Sequence, residues 1–230
     1  MNHRTSRAIL RSLIALLALA LLMACGACSK KKSSPSGGGG DGADNNSSGK
    51  VQTLNQHLIA LPVPVESELV FVLDGSGIPK ELNKRFESML YDKDGILSSV
   101  DKAEYEALKA TGFTSDKFKR MVVSSLPGGS GGAYLQFDFD AQAILDWAGT
   151  IKDGPKPTQE IDGKKVYADK EGTLWTALDK NTVIVAKDSA SLSLLLKTKQ
   201  GTHASVLENT TIKPLLAAAP KVALFHMIGT

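Results

Sequence analysis

The stretch IDGKKVYADKEGTLWTALDKNTVIVA, residues 161–186, decides the fold class of this chain. It places three short apolar segments one after another, with polar residues between them. The segments are Ile161–Ala168, Leu174–Leu178 and Val183–Ala186. Asp162-Gly163 and Asp179-Lys180-Asn181 supply residues that favour tight turns. Because short strands joined by tight turns pair with their neighbours, this stretch predicts part of an antiparallel sheet.

A second strand pattern lies upstream and has a period of two. Its apolar residues are Leu135, Phe137 and Phe139, and they alternate with Tyr134, Gln136 and Asp138. This alternation predicts a strand with one face in the core and the other in water. Met121–Leu126 precedes it across the glycine loop Gly128–Gly132, so the two segments are expected to form a hairpin.

Helical patterns lie before, between and after the strands. The predicted helices are a short amphipathic one carrying Val51, Leu54, Leu58 and Leu61, one that begins at Pro79, one from Ser98 to Gly112, one over Ala141–Trp147, and one capped by Asp188 that ends by Gly201. Most strands follow strands and not helices. The sequence therefore predicts an α+β fold, an antiparallel sheet with helices packed on one face, and not a doubly wound sheet.

The first and last strand patterns echo each other. Pro62–Gly75 runs from proline through the apolar strand Glu68–Leu73 to a turn, and Pro220–Gly229 repeats this order with Val222–Phe225 as the strand. The last strand either closes the sheet at its edge or begins a second unit that this sequence does not contain. The order of elements resembles that of secreted bacterial domains of unknown function in which a similar unit occurs twice.

Composition and charge exclude several protein classes. The chain has 230 residues, 42% hydrophobic and 22% charged, which is enough for one domain with a core and excludes collagen, coiled coils and wholesale disorder. The net charge of +3 is carried by Arg4, Arg7 and Arg11, and the chain after residue 24 is balanced. A chain without net charge after residue 24 gives no electrostatic reason to expect binding to nucleic acid.

Residues 1–24 have the pattern of a secretory signal peptide. They contain no acidic residue, and the three arginines precede the apolar run Leu13–Ala24. A helix of this length spans about 18 Å, against a hydrocarbon core of about 30 Å, so a signal peptide is favoured over a membrane span.

The residues after this run resemble the lipobox of bacterial lipoproteins. Leu22-Met23-Ala24-Cys25 places an aliphatic residue three positions before a cysteine and a small residue directly before it. The resemblance implies cleavage before Cys25, a diacylglycerol thioether on its sulfur and acylation of the new amino group. Cys28 is the alternative lipidation site, although Cys25 then occupies the aliphatic position. A disulfide between the two cysteines closes too small a loop to stabilise the domain.

A polar segment separates the predicted anchor from the domain. Residues 29–50 contain six Gly and six Ser and no large apolar residue, which predicts a flexible tether. Lys30–Lys32 either meet anionic head groups or belong to a solvated spacer. The expected organisation is a signal peptide over 1–24, a lipidated tether over 25–50 and a single α+β domain over 51–230.

Three sequence motifs match a functional pattern only in part. Gly128–Gly132 fits G-x-S-x-G around Ser130, but a strand pattern follows where the hydrolase nucleophile elbow needs a helix. Asp74 and Ser76 resemble the metal motif of von Willebrand A domains, with Ile78 where an oxygen ligand is required. Asp92–Gly95 resembles part of an EF-hand loop, with Leu90 at the first ligand position and Asp101 in place of the bidentate glutamate at the twelfth. No motif predicts a catalytic residue, a metal site or a cofactor.

The remaining candidates are isolated residues. His57 is expected on the polar side of its helix, His203 has no local partner, and His226 in the final strand is expected to be a hydrogen-bonded structural residue. Scattered acidic residues are expected to cap turns and strand ends. They are Asp138, Asp140, Asp162 and Asp169.

The expected function follows from the predicted anchor and from the motifs that match a catalytic or metal-binding pattern only in part. It is a lipid-anchored lipoprotein of the cell envelope whose domain binds or assembles without catalysis, with an unidentified envelope protein or ligand as partner. The alternative is an envelope enzyme, hydrolase-like, with a site assembled from distant residues. A third possibility is a structural role through an unpaired final strand. Gly26 after the cysteine favours the outer membrane.

Overall fold

The computed structural model describes residues 53–75, 107, 110–150, 154–219 and 225–229. The helices in these ranges are α1 Leu54–Ala60, α2 Ala141–Thr150, α3 Ser189–Lys199 and α4 Ile212–Ala218. The strands are β1 Leu69–Asp74, β2 Phe118–Leu126, β3 Ser130–Phe137, β4 Lys156–Ile161, β5 Lys164–Ala168, β6 Leu174–Asp179, β7 Thr182–Ala186 and β8 Phe225–Gly229. In the part of the chain so described, no helix is long and apolar enough to cross a membrane.

The eight strands form one sheet in the order β4-β5-β6-β7-β3-β2-β1-β8. Every neighbouring pair is antiparallel. The predicted α+β class with an antiparallel sheet is confirmed. The hairpin of β2 and β3 is also confirmed, with the turn formed by a short 3-10 helix, Pro127–Gly129. The last strand, β8, lies at the edge of the sheet beside β1.

Three helices pack on one face of the sheet, which we call the three-helix face. Leucines of α1 and α3 and Leu216 of α4 lie there against Val72, Val122 and Ile184. The fourth helix, α2, packs on the opposite face, which we call the groove face, where its Leu145 is fully buried. The sheet is therefore covered on both sides, whereas the sequence had indicated helices on one face.

Tyr134 shows what this double covering does to the alternation in β3. The period of two predicts that Tyr134 faces water, but its side chain is fully buried on the three-helix face. Its hydroxyl oxygen lies 2.9 Å from the carbonyl oxygen of Pro62 and 2.8 Å from that of Leu195, and its single proton is shared between these two acceptors. Burial raises the pKa of the Tyr134 hydroxyl. This prediction is wrong because helices cover the face that the pattern assigns to solvent.

The segment Ile161–Ala168 is not a single strand. Asp162 and Gly163 have φ angles of 47° and 74°, and they join β4 to β5 as a two-residue hairpin turn. The strand β4 before this turn was not predicted, because its residues are almost all exposed and show no apolar alternation. The final strand is described over Phe225–Gly229, and residues 222–224 of the predicted strand lie outside the described residues.

Helix α1 begins at Leu54, within the predicted amphipathic segment that carries Val51, Leu54, Leu58 and Leu61. Thr53 caps it by accepting a hydrogen bond from the backbone of Gln56, and the Gln56 side chain accepts one from the Thr53 backbone. Asp188 caps α3 through the backbone N–H of Ser191, as predicted. The helix predicted after Pro79 falls outside the described residues, as do the motifs at Ser76–Ile78 and Asp92–Gly95, the signal peptide, the tether and both cysteines. Of the helix predicted from Ser98 to Gly112, only residues 107 and 110–112 are described. Ala107 and Ala110 are helical, and Gly112 has a φ of 92°.

Candidate functional site

An apolar groove lies on the groove face beside the end of the sheet where β2 runs into β3. Its volume is about 470 Å³. Side chains from four adjacent strands form its floor, and they are Met121, Val123, Ala133, Trp175 and Val185. These side chains point to the same side because alternate residues of neighbouring strands share a face of the sheet. A volume of this size suits a small molecule.

Polar residues form the rim of the groove. The hydroxyl-bearing residues are Ser125, Ser130 and Thr173, and the charged ones are Asp169, Glu171 and Lys187. Asp169 accepts hydrogen bonds from the backbone N–H groups of Glu171 and Thr173, each at 2.9 Å, so it orders the turn before β6. Lys187 donates to the Gly129 carbonyl at 2.7 Å. The rim is therefore built into the turns that hold the strand ends.

Trp175 is the largest side chain of the floor. It is 7% exposed, and its indole Nε1 is buried without a hydrogen-bond acceptor among the described residues. An aromatic ring contributes a large apolar surface to a binding site. Trp175 is therefore the floor residue whose surroundings change most when the groove is filled.

Ser130 lines the groove, but its surroundings differ from those of a hydrolase nucleophile. Its hydroxyl donates to the Pro127 carbonyl at 3.3 Å, and strand β3 begins at Ser130 where the nucleophile elbow would have a helix. The residues lining the groove include no histidine. Ser130 therefore lacks both the local geometry and the base of a serine hydrolase in the described part of the chain.

The glycines next to Ser130 have a packing role that the sequence did not reveal. A Cβ atom on Gly132 would lie 2.4 Å from the Val185 carbonyl oxygen and 2.8 Å from Leu195 Cδ1. On Gly131 it would lie 2.2 Å from the Ser124 carbonyl oxygen. Part of the predicted glycine loop, Gly128–Gly132, therefore belongs to strand β3. This strand needs glycine where neighbouring backbones approach closely.

A second cluster of functional side chains lies buried on the three-helix face. His57 of α1 is fully buried, and its Nε2 lies 3.2 Å from Oδ2 of Asp74, a contact without the alignment of a hydrogen bond. Arg120 lies opposite Asp74 in the register of β1 and β2, and its Nη1 is 3.2 Å from His57 Nδ1. The expectation that His57 lies on the surface is wrong. Its position three residues after Leu54 places it on the apolar side of α1.

His226 joins this cluster from β8. It pairs with Val72 in the sheet register and is 5% exposed. Burial lowers its pKa, His57 lowers it further, and Asp74 acts in the opposite direction. Its Nε2 is buried and has no partner in the described residues, so the expected hydrogen bond at this atom is not found there.

The cluster has the residue types of an acid-base site but not its access. Both ring nitrogens of His57 face charged protein groups, and Asp74 is 2% exposed. Burial lowers the pKa of Arg120, and the charge of Asp74 opposes this shift. A general base must reach a substrate proton within hydrogen-bond distance. The arrangement therefore joins α1 to the edge of the sheet, and among the described residues it leaves no opening for a substrate at His57 or Asp74.

The other candidate residues have local structural partners. His203 lies 2.9 Å from Glu66 at the surface. Asp140 accepts from the backbone of Gln142, and Asp162 accepts from the Ser193 hydroxyl. Asp138 lies 3.8 Å from Lys119 in an exposed ion pair. Within the described ranges, no three His, Cys, Asp or Glu residues are arranged to hold a metal ion.

Comparisons with known proteins find little. No protein-family model matches the chain. No curated protein matches it. Among solved structures, crystal form III of TP0453 is similar with 12% identity and a TM-score of 0.41, covering 61% of this chain and 52% of that chain. Crystal form IV of the same protein has 11% identity and a TM-score of 0.39, covering 59% and 52%. The chain thus spans about half the length of the TP0453 chains.

Proposed function

We propose that this chain is an exported lipoprotein, anchored in the cell envelope through Cys25, whose folded part binds the apolar portion of a small ligand without catalysis. The observation that carries the binding role is the groove of about 470 Å³ over Met121, Val123, Trp175 and Val185. Its volume falls in the range of small-molecule sites, and its floor is apolar with polar groups at the rim. The lipobox at Leu22–Cys25 supports the anchor.

The distribution of polar groups favours binding over turnover. In the described residues, the rim of the groove has hydroxyls, one lysine and the carboxylates of Asp169 and Glu171, and the groove has no histidine. The Asp169 carboxylate accepts two backbone hydrogen bonds of its own turn. The histidines His57 and His226 lie buried on the opposite face of the sheet. A site that holds an apolar group between a tryptophan and aliphatic side chains needs no acid-base chemistry.

Fluorescence of Trp175 tests ligand binding. The chain contains two tryptophans, so a Trp147→Phe variant leaves Trp175 as the single emitter. Titration with 1-anilinonaphthalene-8-sulfonate, an apolar aromatic probe, is expected to quench Trp175 with saturation at one molecule per chain. Val123→Glu places a charge on the floor and is expected to weaken binding at least tenfold. Leu215→Glu, at an exposed position on α4, is the control and should leave binding unchanged.

Two outcomes would overturn the binding role. One is quenching that never saturates, and the other is equal affinity of the Val123→Glu and Leu215→Glu variants while both retain the melting curve of the parent chain. Hydrolysis of an ester, glycan or peptide panel by the purified chain would overturn the non-catalytic part and support an enzyme with a site from distant residues.

The intact mass of the mature N-terminal peptide tests the anchor. In the native host, the peptide is expected to begin at Cys25 and to carry acyl chains. Cys25→Ser should abolish the acyl mass, while Cys28→Ser serves as the matched control and should retain it. Loss in the Cys28 variant alone would move the anchor to Cys28. An unmodified N-terminus, or one that still carries residues 1–24, would reject the lipoprotein assignment. Fractionation of the envelope then tests the outer-membrane location.

A further inference from the structure

The two edges of the sheet differ in how they are protected. At one edge, β4 is almost wholly exposed and carries Lys156, Pro157 and Glu160. Its register shifts between Pro157 and Gln159, which is an irregularity of the bulge type. Proline, charged side chains and bulges all hinder the addition of another strand. This edge is therefore closed to further pairing.

The opposite edge has none of these features. Strand β8 reads FHMIG, with no proline, lysine, arginine or acidic residue, and in the described sheet it pairs only with β1. Its register with β1 is continuous from Phe225 to Gly229. The outer backbone groups of such an edge form a template for another strand.

Two exposed apolar side chains lie at this same edge. In the described residues, four large hydrophobic side chains are exposed, and they are Ile59, Leu69, Leu215 and Met227. Met227 is 59% exposed and Leu69 is 40% exposed. Met227 pairs with Phe71 and Leu69 pairs with Gly229, so both lie on the groove face. Burying them requires an apolar neighbour beyond β8.

We propose that β8 is an interaction surface for a second copy of this chain, with two β8 strands paired antiparallel about a two-fold axis at Met227. Centring the pair on Met227 sets Phe225 opposite Gly229 and His226 opposite Ile228 of the other copy. In this pairing, each residue lies opposite one whose side chain points to the same face of the sheet. The two Met227 side chains therefore meet on the groove face. The result is one sheet that continues through both copies.

Charge favours a second copy over a charged peptide. Strand β8 offers no charged acidic or basic group with which to recognise such a peptide, and its identical partner brings no opposing charge. The chain after residue 24 also carries equal numbers of basic and acidic residues, so two copies do not repel each other through net charge. A five-residue strand gives a small interface, and we therefore expect a dimer that dissociates on dilution.

Sedimentation velocity tests this proposal on the full chain. The parent for this test carries Cys25→Ser and Cys28→Ser, which remove the lipid and the native thiols. A density-matched detergent keeps the apolar residues 1–24 in solution. We expect a concentration-dependent monomer–dimer equilibrium. Met227→Lys should shift it to monomer at least tenfold, because two like charges would meet at the axis. Leu215→Lys, also an exposed apolar position, is the matched control and should leave the equilibrium unchanged.

Cysteine cross-linking at the axis provides a second readout that does not depend on destabilising the strand. In the same parent, Met227→Cys should form a disulfide-linked dimer under mild oxidation, since directly opposed strand residues lie within disulfide range. Leu215→Cys should not. A parent that is monomeric at every concentration, or equal cross-linking of the two cysteine variants, would overturn the proposal. This test is independent of the groove, because Met227 does not line it.

Discussion

His57 Nδ1 lies 3.2 Å from Nη1 of Arg120, although these residues come from a helix and a strand far apart in the chain. A guanidinium can only donate hydrogen bonds, so Nδ1 is the acceptor and the imidazole proton resides on Nε2, which faces Asp74. The contact therefore fixes the tautomer of a fully buried histidine and ties α1 to β1 and β2. Four predictions follow from this cluster and from the packing around it.

Replacing Asp74 by asparagine tests the charge balance of the cluster. Asp74→Asn keeps the shape but removes the negative charge opposite Arg120, which stays partly buried. We expect a loss of about 2 kcal/mol in the free energy of unfolding, less than for a fully buried pair because Arg120 keeps contact with water. Urea denaturation measures it. Asp138→Asn, in an exposed ion pair with Lys119, should change stability by less than about 0.5 kcal/mol. Equal effects of the two variants would contradict a role for the buried charge.

The histidine of β8 predicts a dependence of stability on pH. Burial lowers the pKa of His226 below its unfolded value of 6.5, with His57, Asp74 and Arg120 as its charged or titratable neighbours. The unfolded chain then binds a proton before the folded chain does, so stability is complete above about pH 6.5 and declines as the pH falls below it. His226→Gln should flatten the decline between about pH 6.5 and 5 in thermal melts. His203→Gln, at the surface, should retain it, and the reverse result would reject this assignment.

Gly132 tests the close approach of β3 to β7. In Gly132→Ala the new methyl group would meet the Val185 carbonyl oxygen and a methyl of Leu195, both inside contact distance. We expect a destabilisation of about 2–3 kcal/mol from overpacking. Gly149→Ala in α2 is the control, because a Cβ atom there has 3.4 Å to its nearest neighbour, the Pro155 carbonyl oxygen. The control should change stability by less than about 1 kcal/mol. Thermal melts of both variants decide whether glycine is required at position 132.

Tyr134 tests how the three-helix face is held together. Its single hydroxyl proton is shared between two carbonyl oxygens, one before β1 and one in α3, so Tyr134→Phe leaves both acceptors without this donor. We expect a cost of about 1–2 kcal/mol in the free energy of unfolding. The matched control is Tyr167→Phe, whose hydroxyl bonds only the exposed Gln142 side chain among the contacts described, and its cost should be smaller. A Tyr134→Phe variant as stable as the parent would show that these two bonds do not hold α3 in place.

Local patterns predicted the elements that depend on nearest neighbours. The apolar strands β1, β2, β6 and β7 and the Asp188 cap of α3 could be recognised, because strand alternation and capping are set by residues within one or two turns. Strand β4 was missed because an exposed edge strand needs no apolar residues and leaves no periodic signal. The prediction for the last strand included Phe225 but not residues 226–229, because their pairing depends on the register with β1.

The candidate sites depended more strongly on tertiary structure. The groove is built from alternate residues of four strands that are separated by turns and helices, so no continuous motif marks it. His57 carried a usable signal, since its spacing from Leu54 and Leu61 places it on the buried side of α1. Nothing in the sequence indicated that Arg120 and His226 would meet it.

The sequence by itself determined the α+β class and the antiparallel character of the sheet, and it predicts the lipid anchor at Cys25. These follow from turn residues, alternation and a short signal, which act locally along the chain. Only the tertiary structure decided that both faces of the sheet are covered, that Tyr134 and His57 are buried, and that an apolar groove remains beside Trp175. Burial depends on which elements pack over each face, and that packing is set by contacts between residues distant in sequence.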